Sequence, residues 1–241
     1  MGSRRSGSGS SPAGAPLPTG SQLPPEAVAR PPGAGPVPTT LREHARSVQD
    51  CTACDLHRDR VKAVAGEGPA DARLVIVGAT PRRHEDLQGV PLAGACRNVL
   101  DHGLAAAGLR REDVRVTSVV RCRPHDDRTP TLEEIATCGV HLRAELDLVE
   151  PEVIVTLGAF ATAILLGRPV PIERVAGYRL DVLRGTTLVP TYHPNDAVRG
   201  VPQAAPSLRR DLQVAKAVLD GRLRTGAQAL AEARSRAAAG T

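Results

Sequence analysis

Four short apolar runs constrain this chain more than any other feature: Arg73–Val77, Val114–Val120, Val153–Leu157 and Thr187–Pro190. Each leads into a loop, and helix-compatible stretches lie between them. The runs are dense in Val, Ile and Leu rather than alternating with polar residues. That is the pattern of strands covered on both faces. Helices are predicted over Thr40–Gln49, Gly94–Ala107, Thr131–Val149 and Ala159–Leu166. The third has Thr131 as N-cap and Glu134 placed to close a capping box, and Ser207 is read as the cap of a last helix ending at Leu219. Strands alternating with helices make a layered α/β domain with a largely parallel sheet.

In such sheets ligands bind beyond the carboxyl ends of the strands. That rule selects the loops Gly78–Gly94, Cys122–Thr131 and His193–Arg199, which should meet at one sheet edge. The flanks read differently. Residues 1–40 hold 7 Gly, 9 Pro and 6 Ser and should be a disordered tail; residues 222–241 form an Ala/Arg-rich tail, and 41–221 is the domain. Three Arg against one Glu in the first tail and four against one in the second account for the whole net charge of +5. The domain is therefore neutral overall, and any basic face toward DNA must be local. With only Phe160, Tyr178 and Tyr192 as aromatics, a platform of several stacked rings is excluded. No apolar run reaches a membrane span and no signal-type segment opens the chain. A cytoplasmic protein with no membrane partner is expected.

Five cysteines remain. Cys51 and Cys54 form a C-x2-C, and Cys122 and Cys138 follow with 15 residues between them. A C-x2-C is a half-site for zinc or for an iron–sulfur cluster, and four thiolates suit either. Cys96, inside the Gly94–Ala107 helix, reads as a packed thiol.

The motifs carry a resemblance. Gly78-Ala-Thr-Pro81, then Glu85-Asp86 and Pro91-Leu92-Ala-Gly94, resembles the G-E-A-P-G, E-D, G-x-P-F-V-G pattern of the iron–sulfur uracil-DNA glycosylases, family 4 of that superfamily. Val116–Pro124 resembles their T-N-V-V-K-C-R-P, with Arg128–Thr131, Glu133-Glu134 and Cys138 continuing in register, and Val189–Pro194 resembles their P-T-Y-H-P-S. The likeness spans about Cys51 to Leu219. It implies a three-layer αβα fold around a four-stranded parallel sheet, and a [4Fe–4S] cluster, in preference to zinc, on Cys51, Cys54, Cys122 and Cys138. It also implies hydrolysis of the N-glycosidic bond of uracil, or another deaminated base, in DNA, by a nucleoid-associated monomer. The base leaves the stack for a pocket, and His193 donates toward its developing oxyanion.

Departures concentrate in that pocket, whose residues by this likeness are Gly78, Ala79, Leu92 and Ser118. Ala79 stands where the family has Glu, Leu92 where it has the stacking Phe, and Ser118 where it has the base-reading Asn. Arg82 replaces a Gly and Asn195 replaces a Ser. Thr80 offers a hydroxyl beside the lost Glu, so His193 and Thr80 are the catalytic candidates. Arg82, Arg123, Arg128 and Arg199 lie on the selected loops as candidate DNA contacts. The expectation is a DNA N-glycosylase with reduced or altered activity; the alternative is a non-catalytic member that binds DNA or a damaged base.

Overall fold

The computed structural model describes residues 37–182 and 185–223, so both expected tails lie almost wholly outside the described residues. In chain order the elements are α1 (Leu41–Gln49), β1 (Leu74–Gly78), α2 (Arg83–Gln88), α3 (Gly94–Ala106), β2 (Val114–Ser118), α4 (Leu132–Val149), β3 (Val153–Leu157), α5 (Gly158–Leu166), α6 (Ile172–Val175), β4 (Leu180–Asp181), β5 (Thr187–Thr191), α7 (Pro194–Val198) and α8 (Ala204–Leu219). The sheet order is β2-β1-β3-β5-β4. Its first four strands are parallel, and the two-residue β4 adds an antiparallel edge.

Both faces of the sheet are covered, as the apolar runs required. Val75, Val77, Ile154 and Leu188 face one core with residues of α1, α4 and α5. Leu74, Ile76, Val114, Val116, Val153, Val155 and Val189 face the other with Leu100 and Leu104 of α3 and Leu208 and Leu212 of α8. This alternation along each strand makes the three layers. No helix among the described residues is long and apolar enough to cross a membrane.

Helix ends follow capping chemistry. Thr131 accepts from Glu134 N at 3.1 Å, while the Glu134 carboxylate accepts from Thr131 N at 2.7 Å. The start of α8 corrects an expectation. It begins at Ala204, and Ser207, expected as its cap, is buried in its first turn, donating its backbone N–H to Gln203 O at 3.0 Å. Pro206 does not block this start, because the first helical turn needs no N–H from it. β2 likewise ends at Ser118 rather than Val120.

One polar group lies deep in the core. Glu145 of α4 is fully buried and holds Arg115 Nε at 2.5 Å, Arg121 Nη2 at 2.7 Å and the Thr117 hydroxyl at 2.6 Å. Burial alone would raise this carboxyl, but Arg121, Arg115 and Thr117 pull it down to about 2. Gly66 makes room for the group: a Cβ there would collide with the Glu145 carboxylate, whose Cδ would be 2.8 Å away. Gly66→Ala should therefore lower stability by about 3–5 kcal/mol, the usual cost of parting a buried ion pair. Urea unfolding measures this, and a loss below about 1 kcal/mol would show that the network simply shifts aside.

Candidate active site

One pocket sits at the carboxyl ends of the parallel strands. Gly78 at the end of β1, Ala79, Thr80 and Arg82 after it, Leu92 before α3, Ser118 at the end of β2 and His193 after β5 all line it. All six residues expected for catalysis and base binding thus come together. The selected loops do not all meet there, because Cys122–Thr131 contributes no lining residue. The larger hollow, lined by Leu142, Leu146, Ile154 and Ile164, lies at the amino ends of the strands, away from every candidate residue. The titratable and hydroxyl groups converge in the smaller pocket, which makes it the candidate site.

The pocket rim is held by Glu85. Its carboxylate accepts from Arg82 N at 3.0 Å and from Ala93 N at 2.8 Å, and so ties the Thr80 loop to the Leu92 loop. Leu92 is buried with φ +51°, a conformation that bulky side chains rarely adopt. Such strain persists only where the surroundings impose it, and the Glu85 bond to the next residue does so. Asp86 accepts from Val61 N at 2.9 Å and Lys62 N at 3.3 Å. The Glu85-Asp86 pair thus pins the pocket loops.

Ser118 is committed within the chain. Its hydroxyl donates to Val120 O at 2.8 Å, so toward a ligand it can only accept. His193 is set by its backbone neighbours. Its Nδ1 accepts the Asn195 N–H at 3.0 Å, so the neutral ring carries its proton on Nε2. Gly158 lets β3 pass close behind it: at φ +81° it leaves space that a Cβ would fill to 3.2 Å from His193 Cβ.

Burial, reinforced by the Arg82 charge, lowers the His193 imidazole to about 4. The neutral donor form therefore persists as pH falls through the ordinary imidazole range, about 6.5. Protonating Nδ1 would expel the Asn195 N–H. Any base release that uses His193 should stay level down to about pH 5 and fall as pH approaches 4; a pH–rate profile breaking near 6.5 would show a freely titrating ring. The same shift weakens folding as pH falls from about 6.5 toward 4, since there the unfolded chain takes a proton that the folded chain refuses.

Of the candidate DNA contacts, Arg82 and Arg199 are exposed. Arg123 is paired with Asp127 at 2.7 Å, and Arg128 grips Glu134 with two bonds of 2.8 and 2.6 Å, completing the α4 cap. Glu85, Thr117 and Cys96 also line the pocket and were not expected there. For Glu85 a signal existed, since it belongs to the quoted E-D pair. Cys96, half-buried on the pocket wall, has a thiol that burial pushes up to about 11. It is a neutral wall group at physiological pH.

A second pocket gathers the other four cysteines. Cys51, Cys54, Cys122 and Cys138 line it with Arg60 and Arg121. All four are free thiols, and no group of three or more His, Cys, Asp or Glu among the described residues could hold a single metal ion. Two N–H donors aim at sulfur: Arg60 Nη1 lies 3.2 Å from Cys122 Sγ, and Arg121 N lies 3.2 Å from Cys138 Sγ. Burial pushes Cys138 up to about 12 and raises Cys54 and Cys122 too. As bare thiols these three stay protonated at neutral pH; a metal would draw out the thiolates.

The sequence profile of the uracil DNA glycosylase superfamily matches residues 65–213, which hold all six expected pocket residues. The chain belongs to the uracil DNA glycosylase superfamily. It is 44% identical to the Type-4 uracil-DNA glycosylase of Thermotoga maritima over 153 residues, 63% of this chain and 80% of that protein. To the Type-4 uracil-DNA glycosylase of Archaeoglobus fulgidus it is 40% identical over 162 residues, 64% of this chain and 81% of that one. The Type-5 uracil-DNA glycosylase of Mycobacterium leprae is 32% identical over 173 residues, covering 63% of this chain and 75% of its own. Cys51 and Cys54 precede the part matched to the superfamily, whereas Cys122 and Cys138 fall inside it.

Proposed function

We propose that this member of the uracil DNA glycosylase superfamily is a DNA N-glycosylase that hydrolyses the bond between deoxyribose and uracil, or another deaminated base. The observation that carries the reading is the fixed proton on His193 Nε2, held there by the Asn195 N–H on Nδ1 in a pocket at the strand ends. The base must leave the stack to reach that pocket. As the bond to the sugar breaks, its electron pair goes to the base, and the Nε2–H stabilises the negative charge on a base oxygen. A water adds its oxygen to the sugar carbon, and its proton ends on the departed base. Thr80, on the pocket wall, offers a hydroxyl to hold that water, and the exposed Arg82 and Arg199 are the proposed phosphate contacts.

For the second pocket we propose a [4Fe–4S] cluster on Cys51, Cys54, Cys122 and Cys138. A cubane takes one thiolate at each iron, so its ligands ring a pocket instead of converging on one point. Four cysteines lining one pocket supply that number of ligands, and the resemblance to the iron–sulfur glycosylases favours the cluster over zinc. When bound, the cluster supplies a crosslink between the Cys51–Cys54 segment, the chain after β2 and α4.

The test is single-turnover incubation of anaerobically purified protein with single- and double-stranded oligonucleotides bearing one uracil, followed by alkaline strand cleavage. Cleavage at the uracil supports the reading. A second reading, binding without excision, is favoured by the missing carboxylate at Ala79 and the committed Ser118 hydroxyl. It predicts salt-dependent DNA binding with no base released.

A further inference from the structure

The core beside the cysteine pocket holds more positive charge than its own carboxylate can neutralise. Arg115 and Arg121 are both almost fully buried, and both lean on the single carboxylate of Glu145. The other groups facing them add no negative charge. His44 is fully buried and its imidazole is lowered by burial and by Arg121; His141 is lowered to about 4, first by burial and then by Arg121. Thr117 takes one hydrogen bond from Arg121 Nη1 and gives its own proton to Glu145. Glu134 is neutralised by Arg128, and the Asp86 carboxylate is engaged with Val61 N and Lys62 N. Arg121 Nε, wholly shielded from solvent, has no acceptor. An unmatched buried cation costs several kcal/mol unless an anion faces it. Arg121 lines the cysteine pocket, donates its backbone N–H to Cys138 Sγ, and is joined there by Arg60, whose Nη1 reaches Cys122 Sγ.

We propose that Arg121 and Arg60 are the built-in counter-charge of a negatively charged, thiolate-ligated group in the cysteine pocket, and that they set its reduction potential and its retention. This rests on the cluster assigned above. Four thiolates bring more negative charge than the iron–sulfide core of a [4Fe–4S] centre cancels, and nearby positive charge and N–H donors to sulfur make such a centre easier to reduce and harder to strip. The role is one of positioning and field, since neither arginine is required as a ligand.

The experiment is voltammetry of the cluster-containing protein, with iron release to a chelator followed by visible absorption. Arg60→Met and Arg121→Met should each move the midpoint to a more negative potential and release iron several-fold faster. Arg121→Lys should stay near the parent because it keeps the charge. Arg60 is half-buried and makes no contact with Glu145, so Arg60→Met tests the idea even where Arg121→Met fails to fold. Unchanged midpoints in Arg60→Met and in any soluble Arg121→Met protein would overturn the proposal. So would a parent protein that takes up no iron on anaerobic reconstitution with iron and sulfide. Uracil excision is measured separately on the same preparations, so loss of the charge argument and loss of the glycosylase reading give different results.

Discussion

His193→Ala should lower single-turnover release of uracil by on the order of 10²–10³-fold, the usual cost of one donor to a developing oxyanion, with DNA affinity nearly unchanged. The alanine removes two things at once, because Nδ1 of the same ring caps the Asn195 N–H at the start of α7. His193→Asn separates them. An asparagine oxygen can accept that N–H as an N-cap, while its amide N–H group, nearer the backbone than Nε2, falls short of the pocket position. If the proton on Nε2 performs the chemistry, the asparagine variant is as slow as the alanine variant. Recovery of most of the parent rate with asparagine would reduce His193 to a cap and remove the central argument for excision.

Rebuilding the pocket should give the opposite result. Ala79→Glu restores a carboxylate to a half-exposed position on the pocket wall, and a positioned acid–base group contributes about 10²–10⁴-fold. Ser118→Asn adds the donor that Ser118 lacks, at the loss of its bond to Val120 O, worth about 1 kcal/mol. The two act on one transition state and will not simply add. We expect the double variant to excise uracil at least about 10²-fold faster than the parent. Equal rates would mean that the parent already places its water by other means, with the Thr80 hydroxyl the group to replace next.

The sequence carried most of the scaffold because its signals were strong and local. Short apolar runs alternating with helix patterns read as strands of a layer covered on both faces, and the Thr131–Glu134 box marks a helix start. Short elements were not legible. α2, α6 and α7 have four to six residues each, and β4 has two; their form depends on what they pack against. Ser207 was expected as a cap, but α8 already starts at Ala204, with Pro206 inside a first turn that needs no N–H from it. In the site, the motif positions indicated which residues meet, but not how their polar atoms are used. That Ser118 is committed to Val120, that Arg128 is committed to Glu134, and that Cys96 looks into the pocket all depend on tertiary placement.

The stretch from Thr117 to Cys122 borders both pockets, with Thr117 and Ser118 at one and Arg121 and Cys122 at the other. The Arg121 guanidinium folds back onto Thr117, so no hinge separates the two ends. For protein engineering these six residues are one tuning element. A library made at 117 and 118 to change base preference also changes the footing of Arg121, and should be screened for the proposed cluster as well as for turnover.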